Sequence, residues 1–457
     1  MFVWLVLFNF FIHNSKPTPI GLQKLWMLAK QRAPNMQKAY LQVARAEELV
    51  EGSRFLWLPR FSYSLQGGPA PTYRCILPDA WMPTTLPEGM TESDFRETYC
   101  VGTDRDDSIT LNLDGYVLRF EAKAVMPIFT FGKIDYARAQ ARAMREIAQS
   151  GVQTSRQQLW FTVRRTYFSR RAYLESARLA KKASKLLEEA TEKVTEYEKN
   201  GRISPVDLLR FKLGQNEFEQ RMLDLERIGE ISRATLEYLA GKSVEVREDE
   251  PWEYDASLPA SLPELVNLAL ARRPEFRALL AARAQAAAAA GLAQARLLPD
   301  IGFFVRYRFA DSSSDDPRSA YANDALHGNS LVFGLGIEGH LDFAMQITQM
   351  RLAALEQREV ESRYAALRDA VTLEIANVRQ DVVVTVRKVA LTEKALRFAQ
   401  AQLAALVEQE NMGVLKPRDM AEALTTYFKL QFGYWELRLQ LEMVRAQLAL
   451  ATGEPIT

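Results

Sequence analysis

The chain is 457 residues long, 48% hydrophobic and 25% charged, and its 58 basic residues nearly cancel its 57 acidic ones. That is the make-up of a folded protein, long enough for two or three ordinary domains, without the global basic field that draws nucleic acid. Three histidines and two cysteines support neither a zinc site nor a Cys/His nucleophile. No Ser/His/Asp set or phosphate loop is evident either, so no cofactor, metal or enzymatic activity is expected.

The first residues read "MFVWLVLFNFFIHNSKP". The apolar run Met1 to Ile12 is too short for a membrane-spanning helix, which takes about 20 residues. It fits the apolar core of a secretory signal, assigned here to residues 1–16, although no Lys or Arg precedes it. A buried helix is the other reading. No run of 18 apolar residues follows, so no helical membrane span is expected.

A helical stretch from Leu28 ends at Leu58-Pro59, and the pattern then changes to a period of two. Phe61, Tyr63 and Leu65 alternate with Arg60, Ser62 and Ser64. A Pro-, Thr-, Asp- and Gly-rich loop follows and holds both cysteines, Cys75 and Cys100. In an exported chain they form a disulfide closing a loop of about 26 residues; in a cytosolic chain they stay free thiols. The signal-like start favours the bridge. Alternation returns with Tyr116, Leu118, Phe120, Ala122 and Ala124 against Val117, Arg119, Glu121 and Lys123.

From Gly132 to Asn200 there is no proline, which allows a helical stretch of roughly 100 Å. Its last part spaces Ala183, Leu187, Ala190, Val194 and Tyr197 by alternating fours and threes. The returning segment repeats this through Leu208, Phe211, Gln215, Phe218, Met222 and Leu225. These are heptads, and they predict a paired coiled coil. Between the two lies "NGRISPVD". Gly201 supplies a left-handed helix end, Ser204 a cap, Pro205 a first helical residue and Asp207 a carboxylate near the free amides.

The chain then repeats itself. "LAKQRAPNMQKAYLQVARAEELVEGSRFLWLP" from Leu28 aligns without gaps to "LALARRPEFRALLAARAQAAAAAGLAQARLLP" from Leu268, an offset of 240. Gly201, Pro205 and Asp207 align with Gly413, Pro417 and Asp419 at an offset of 212. The first repeat takes residues 17–241 and the second 262–457, joined by a Pro- and charge-rich linker at 242–261. The second repeat contributes two more alternating runs. Ile301, Phe303, Val305, Tyr307 and Phe309 oppose Arg306 and Arg308. Leu331, Phe333, Leu335, Ile337 and Leu341 oppose Glu338, His340 and Asp342. Long helices follow at about Met345–Met412 and Arg418–Thr452.

Each run is about 9–12 residues, the length of a tilted transmembrane strand. A small soluble sheet is the plainer alternative, but little besides long helix is left to cover it. Four strands cannot close a barrel, and an open edge in lipid leaves backbone groups unpaired. Several chains must then share one barrel, and three chains supply twelve strands.

On these features the chain resembles the TolC-like outer-membrane efflux and secretion ducts, over about Ile20 to Gly453. The resemblance rests on the double repeat, on "ARRPE", "LLPDIGF" and "MPIFTFGKIDYARAQA", and on the two Gly-x-x-x-Pro-x-Asp turns. It implies a mixed α and β membrane protein and a homotrimer in the bacterial outer membrane. Four strands per chain form a twelve-stranded barrel that continues into a coiled-coil α-helical periplasmic duct. The implied partners are outer-membrane lipid, a periplasmic adaptor (a membrane fusion protein) and an inner-membrane transporter. Gly201, Arg202, Ile203 and Ser204, with Gly413, Val414 and Leu415, match the adaptor-binding tips. Asp419 and Glu422 match a gate. Arg119, Glu121, Lys123, Arg306 and Arg308 then face the lumen. His340-Leu341-Asp342-Phe343-Ala344 departs from the first repeat's Pro-x-Phe-x-x-Gly, so the second strand-to-helix junction is expected to differ. With no cysteine near the start, no lipid anchor is expected. A structural periplasmic coiled-coil protein without a channel is the rival reading.

Overall fold

The structure, a computed structural model, describes residues 18–70, 75–76, 82–98, 102–103, 115–201, 203–248, 252–313, 328–339, 342–412 and 417–454. The signal segment, Cys100 and the tip residues Arg202, Gly413, Val414 and Leu415 lie outside them, as does the Cys75–Cys100 pairing. In chain order the elements are β1 (Thr18–Ile20), α1 (Leu22–Arg32), α2 (Pro34–Arg54), β2 (Arg60–Ala70), β3 (Cys75–Ile76), α3 (Glu92–Thr98), β4 (Gly102–Thr103), β5 (Gly115–Phe129), α4 (Lys133–Lys199), α5 (Pro205–Ala240) and β6 (Val244–Val246). Then come α6 (Leu262–Arg272), α7 (Pro274–Ala295), β7 (Asp300–Ser312), β8 (Gly328–Glu338), α8 (Phe343–Asn411) and α9 (Pro417–Thr452). Among the described residues no helix is long and apolar enough to cross a membrane.

The two halves use the same local devices. Ala33 and Arg273 each precede a proline and leave the helical region, with ψ of 118° and 130°. The proline ring forbids α geometry in the residue before it, so α1 and α6 stop there and α2 and α7 begin on Pro34 and Pro274. The paired helices have similar lengths: 67 and 69 residues for α4 and α8, 36 each for α5 and α9.

One compact unit comprises residues 50–140 and 287–355. Its sheet runs β2-β5-β7-β8, with every neighbour antiparallel. The register puts Phe61 opposite Ala124, Tyr63 opposite Ala122 and Leu65 opposite Phe120. Tyr307 faces Leu331, Val305 faces Phe333 and Phe303 faces Leu335. One face is therefore apolar across all four strands, and on the two edge strands it is bare: Phe61 is 82% exposed and Leu335 72%. β5 leaves the sheet through an irregularity at Pro127 to Phe129 and enters α4 through Phe131 and Gly132, both at positive φ (51° and 83°). Gly132 takes that geometry without strain, whereas Phe131 does so at a cost and packs edge-on against Phe129 at 4.7 Å. The second junction is built differently, as expected: Asp342 caps α8, its Oδ1 accepting from the Met345 amide at 3.3 Å.

The other unit, residues 1–49, 141–286 and 356–457, is helical with one short sheet. β1 and β6 pair in parallel, so part of the segment assigned to the linker is a strand. Ile20, Val244 and Val246 from this pair bury against Leu25, Trp26, Val163, Tyr167, Leu236 and Leu239. In the second half, Val371, Ile375, Val382 and Val389 of α8 are almost fully buried. From Ile375 on they recur every seven residues, the heptad seam of a helix pair, and they meet Leu441, Val444 and Ala451 of α9.

A buried ion pair fixes β6 to α4. The Arg170 guanidinium donates to both carboxylate oxygens of Glu245, at 2.8 and 2.5 Å, and to the Gly229 carbonyl at 2.9 Å. Next to it, Arg171 donates to the carbonyls of Arg247 and Glu248 at 2.9 and 3.2 Å. Breaking such a pair strands the partner charge. Arg170→Ala is expected to cost about 3 kcal/mol, the lower end of the range for buried pairs because Glu245 is partly solvated. Thermal unfolding of purified protein in detergent, followed by helical circular dichroism, checks this as a lowered midpoint.

Candidate functional site

The polar face of the sheet carries every strand charge expected to share a face. Glu121 sits opposite Arg308, and Lys123 opposite Arg306. Ser62, Ser64 and Gln66 of β2 face Lys123, Glu121 and Arg119. Glu121 lies between two arginines, 3.6 Å from Arg306 Nε and 3.6 Å from Arg308 Nη2. Both distances exceed a normal hydrogen bond, so the contacts are loose ion pairs. This face opens on a hollow of about 1020 Å³ lined by Arg60, Lys123, Phe304, Arg306 and Glu338, among others. Phe304 is the aromatic exception on the polar side. It lies over the bare backbone of Gly334 and Gly336, where an added Cβ would come within 3.8 and 3.2 Å of its ring. Arg306 sits 5.8 Å from its centroid. At the foot of the sheet, Lys133 Nζ reaches Asp300 Oδ1 and the Leu298 carbonyl, each at 2.8 Å.

The first turn folds as its sequence requires. Gly201 has φ of +68°, and its amide bonds the Glu198 carbonyl at 2.9 Å. Ser204 caps α5, accepting from the Asp207 amide at 3.1 Å and donating to the Asp207 carboxylate at 2.8 Å. Ile203 is half-buried, and Gly201 and Ser204 are exposed. Of the second turn, α9 itself is described. Asp419 and Glu422, three residues apart on that helix, are both exposed.

One feature escaped the sequence pattern. The linker is strapped to α8 and α9 by arginines and acids of those helices. Arg438 donates to the Trp252 carbonyl and, at 2.8 Å, to the Tyr434 hydroxyl, with its guanidinium 4.2 Å from the Tyr254 ring centroid. Trp252 stacks on Trp435 at 5.6 Å. Arg445 donates to Asp255 Oδ2 at 2.9 Å, to the Asp255 carbonyl at 2.5 Å and to the Ser257 carbonyl at 2.7 Å. Arg379 donates to the Ala260 carbonyl at 2.8 Å. The only signal in the sequence was the aromatic content of Trp252-Glu253-Tyr254 inside an otherwise polar linker. Among the described residues no cluster of His, Cys, Asp and Glu could hold a metal ion.

This fold is that of solved outer-membrane channels. The chain matches CusC (TM-score 0.71, 14% identity, 96% of this chain and 93% of that one). It also matches the Campylobacter jejuni CmeC outer membrane channel (0.70, 14%, 94% and 85%) and the open state of the Neisseria gonorrhoeae MtrE outer membrane channel (0.67, 17%, 94% and 88%). Residues 265–454 match the family model described as outer membrane efflux protein. That segment, within the second repeat, is thus similar to outer membrane efflux proteins, and over the rest of the chain the likeness is one of fold. No curated protein matches it by sequence.

The strap has a measurable signature. The Tyr254 hydroxyl donates to Glu393 Oε1 at 2.9 Å, and burial, then that bond and charge, push its pKa up to about 12. The folded value lies above the unfolded one, near 10. The strap's contribution to stability is therefore complete below pH ~10 and is lost as pH rises toward 12. Tyrosinate absorbance of wild type minus Tyr254→Phe is expected to titrate near 12 in the folded protein and near 10 in denaturant.

Proposed function

We propose that three copies of this chain form the exit duct of a tripartite efflux or type I secretion system in the bacterial outer membrane. The β2-β5-β7-β8 sheets of three copies close a twelve-stranded barrel, continued by the long helix pairs into the periplasm. The duct is passive: an inner-membrane transporter supplies the energy. A periplasmic adaptor docks on the turns at Gly201, Arg202, Ile203 and Ser204 and at Gly413, Val414 and Leu415. One observation carries the reading most directly. The sheet has a continuous apolar face, bare on its edge strands, backed by a charged one, which is the two-sided pattern of a barrel wall between lipid and water. A coiled-coil protein without a channel has no use for such a sheet.

The gate is assigned to Asp419 and Glu422. Threefold symmetry brings six carboxylates round one axis, a ring that attracts cations and repels anions at the constriction. Adaptor docking at the tips loosens the inner helix pairs and opens the ring. In planar bilayers the wild-type channel is expected to be blocked by polyvalent cations from the periplasmic side. Asp419→Ala/Glu422→Ala should weaken that block about tenfold, or about 1.4 kcal/mol. Unchanged block and conductance would remove these residues from the gate. A soluble monomer, in place of a membrane-bound trimer on gels, would sink the duct itself.

A further inference from the structure

We infer that the sheet's polar face is an anion filter, so that the outer part of the duct favours solutes carrying carboxylate, sulfonate or phosphate groups. The inference rests on the duct reading, in which this face lines the lumen. It goes beyond that reading by giving the outer part a charge preference opposite to that of the acidic gate.

The middle of the sheet holds four cations, Arg119, Lys123, Arg306 and Arg308, against one carboxylate, Glu121. That is a surplus of three positive charges per chain. Neighbouring residues do not offset it. Ser62, Ser64 and Gln66 of β2 are neutral, and so are Ser330, Val332 and Gly334, which face β7 from β8. At the foot of the sheet Asp300 is held by Lys133 at 2.8 Å, and Glu338 and Arg60 carry opposite charges on the same face, so the foot adds no net negative charge from these four residues. Glu121 is shared between Arg306 and Arg308 at 3.6 Å each, so it neutralises one charge of the two. Arg119 and Lys123 have no ion-pair partner among the described residues. Two of the cations, Lys123 and Arg306, line the hollow directly.

In a closed trimer the surplus becomes nine charges around one confined column of water. Walls of low dielectric focus that field, and salt screens it only beyond about 8 Å at physiological strength. Arginine forks suit the planar, two-oxygen geometry of carboxylate and phosphate. A ring of cations on the lumen side of a barrel is the usual means of favouring anions. The acidic gate lies in series with this band and masks it in the closed channel.

The test is the reversal potential across a potassium chloride gradient, measured in the gate-neutral Asp419→Ala/Glu422→Ala background. The expected result is a chloride-to-potassium permeability ratio above one. Adding Arg306→Glu/Arg308→Glu leaves two cations against three carboxylates per chain and should bring the ratio below one. The milder Arg306→Gln/Arg308→Gln pair, which leaves a surplus of one, should give an intermediate ratio and serves if the glutamate variant does not assemble. A gate-neutral channel that still prefers potassium, or a ratio that neither strand variant moves, overturns the filter while leaving the duct intact. A folded trimer that conducts nothing overturns the duct reading and the filter together.

Discussion

The rest of the structure depends on one constraint: a four-stranded sheet with two open edges and an apolar face has no way to satisfy itself. β2 and β8 each present a row of backbone donors and acceptors on their outer sides. In lipid those groups find no water, and each unpaired one costs several kcal/mol. A soluble protein would cover the face with helices, yet Phe61, Tyr63, Leu331 and Phe333 are all more than 60% exposed. In the proposed trimer both problems have one solution. The β8 edge of each copy pairs with the β2 edge of the next, and a threefold rotation closes the ring. Lipid then takes the apolar face, and the charges are left with the water.

Closure in the proposed trimer also accounts for the charge imbalance of the polar face. A surplus of arginines would be costly in a dry interface, but these surround Glu121 at 3.6 Å and remain partly exposed. Phe304, lying on glycines of β8, adds a ring contact to Arg306 beside its loose pair with Glu121. The helical unit uses arginine differently. Arg170 and Arg171 reach β6 and the carbonyls after it, while Arg438, Arg445 and Arg379 reach carbonyls of the linker. Residues 252–261 form no helix or strand, so their carbonyls have no ladder to join, and side chains from α8 and α9 reach those of Trp252, Asp255, Ser257 and Ala260. The segment following α5 is thereby pinned to helices of both halves.

What the sequence disclosed and what it withheld follow from the length scale of each signal. The four period-two runs and their faces were legible because alternation over nine or more residues is a strong pattern, and the observed register keeps the named apolar residues within the strands on one side, Leu341 lying outside the described residues. The long helices and the Ser204 cap were legible for similar reasons. β1 and β6 were not, since three residues carry no period and the two strands that pair lie at opposite ends of the first repeat, Thr18 facing Val244. The strap was not legible either: nothing in the spacing of Arg438 or Arg445 says that they meet Trp252 and Asp255, almost 190 residues earlier. Of the candidate site, the strand charges could be assigned to one face, but Glu121's position between two arginines depends on the pairing of β5 with β7. Adjacency in sequence did not imply it.

Among the positions at which the two turns differ, one bears on gating. Asp207 is followed by Arg210, whose Nη1 lies 3.9 Å from its carboxylate, and the Ser204 hydroxyl holds the other oxygen. The first turn is thus internally neutralised. At the matching positions the second turn has Asp419 and Glu422, two acids where the first has an acid and a base. In the proposed trimer, six like charges converge at the closed end, and their mutual repulsion works against closure. Something must oppose it. The strap is suited to that task, because Arg438 and Arg445 bind α9 to the linker well along the helix from its acidic start. A helix clamped at its middle and repelled at its tip is poised to pivot. In the proposed duct, an adaptor seated on the tips need only relieve the packing near the turn, since the proposed ring of carboxylates favours separation.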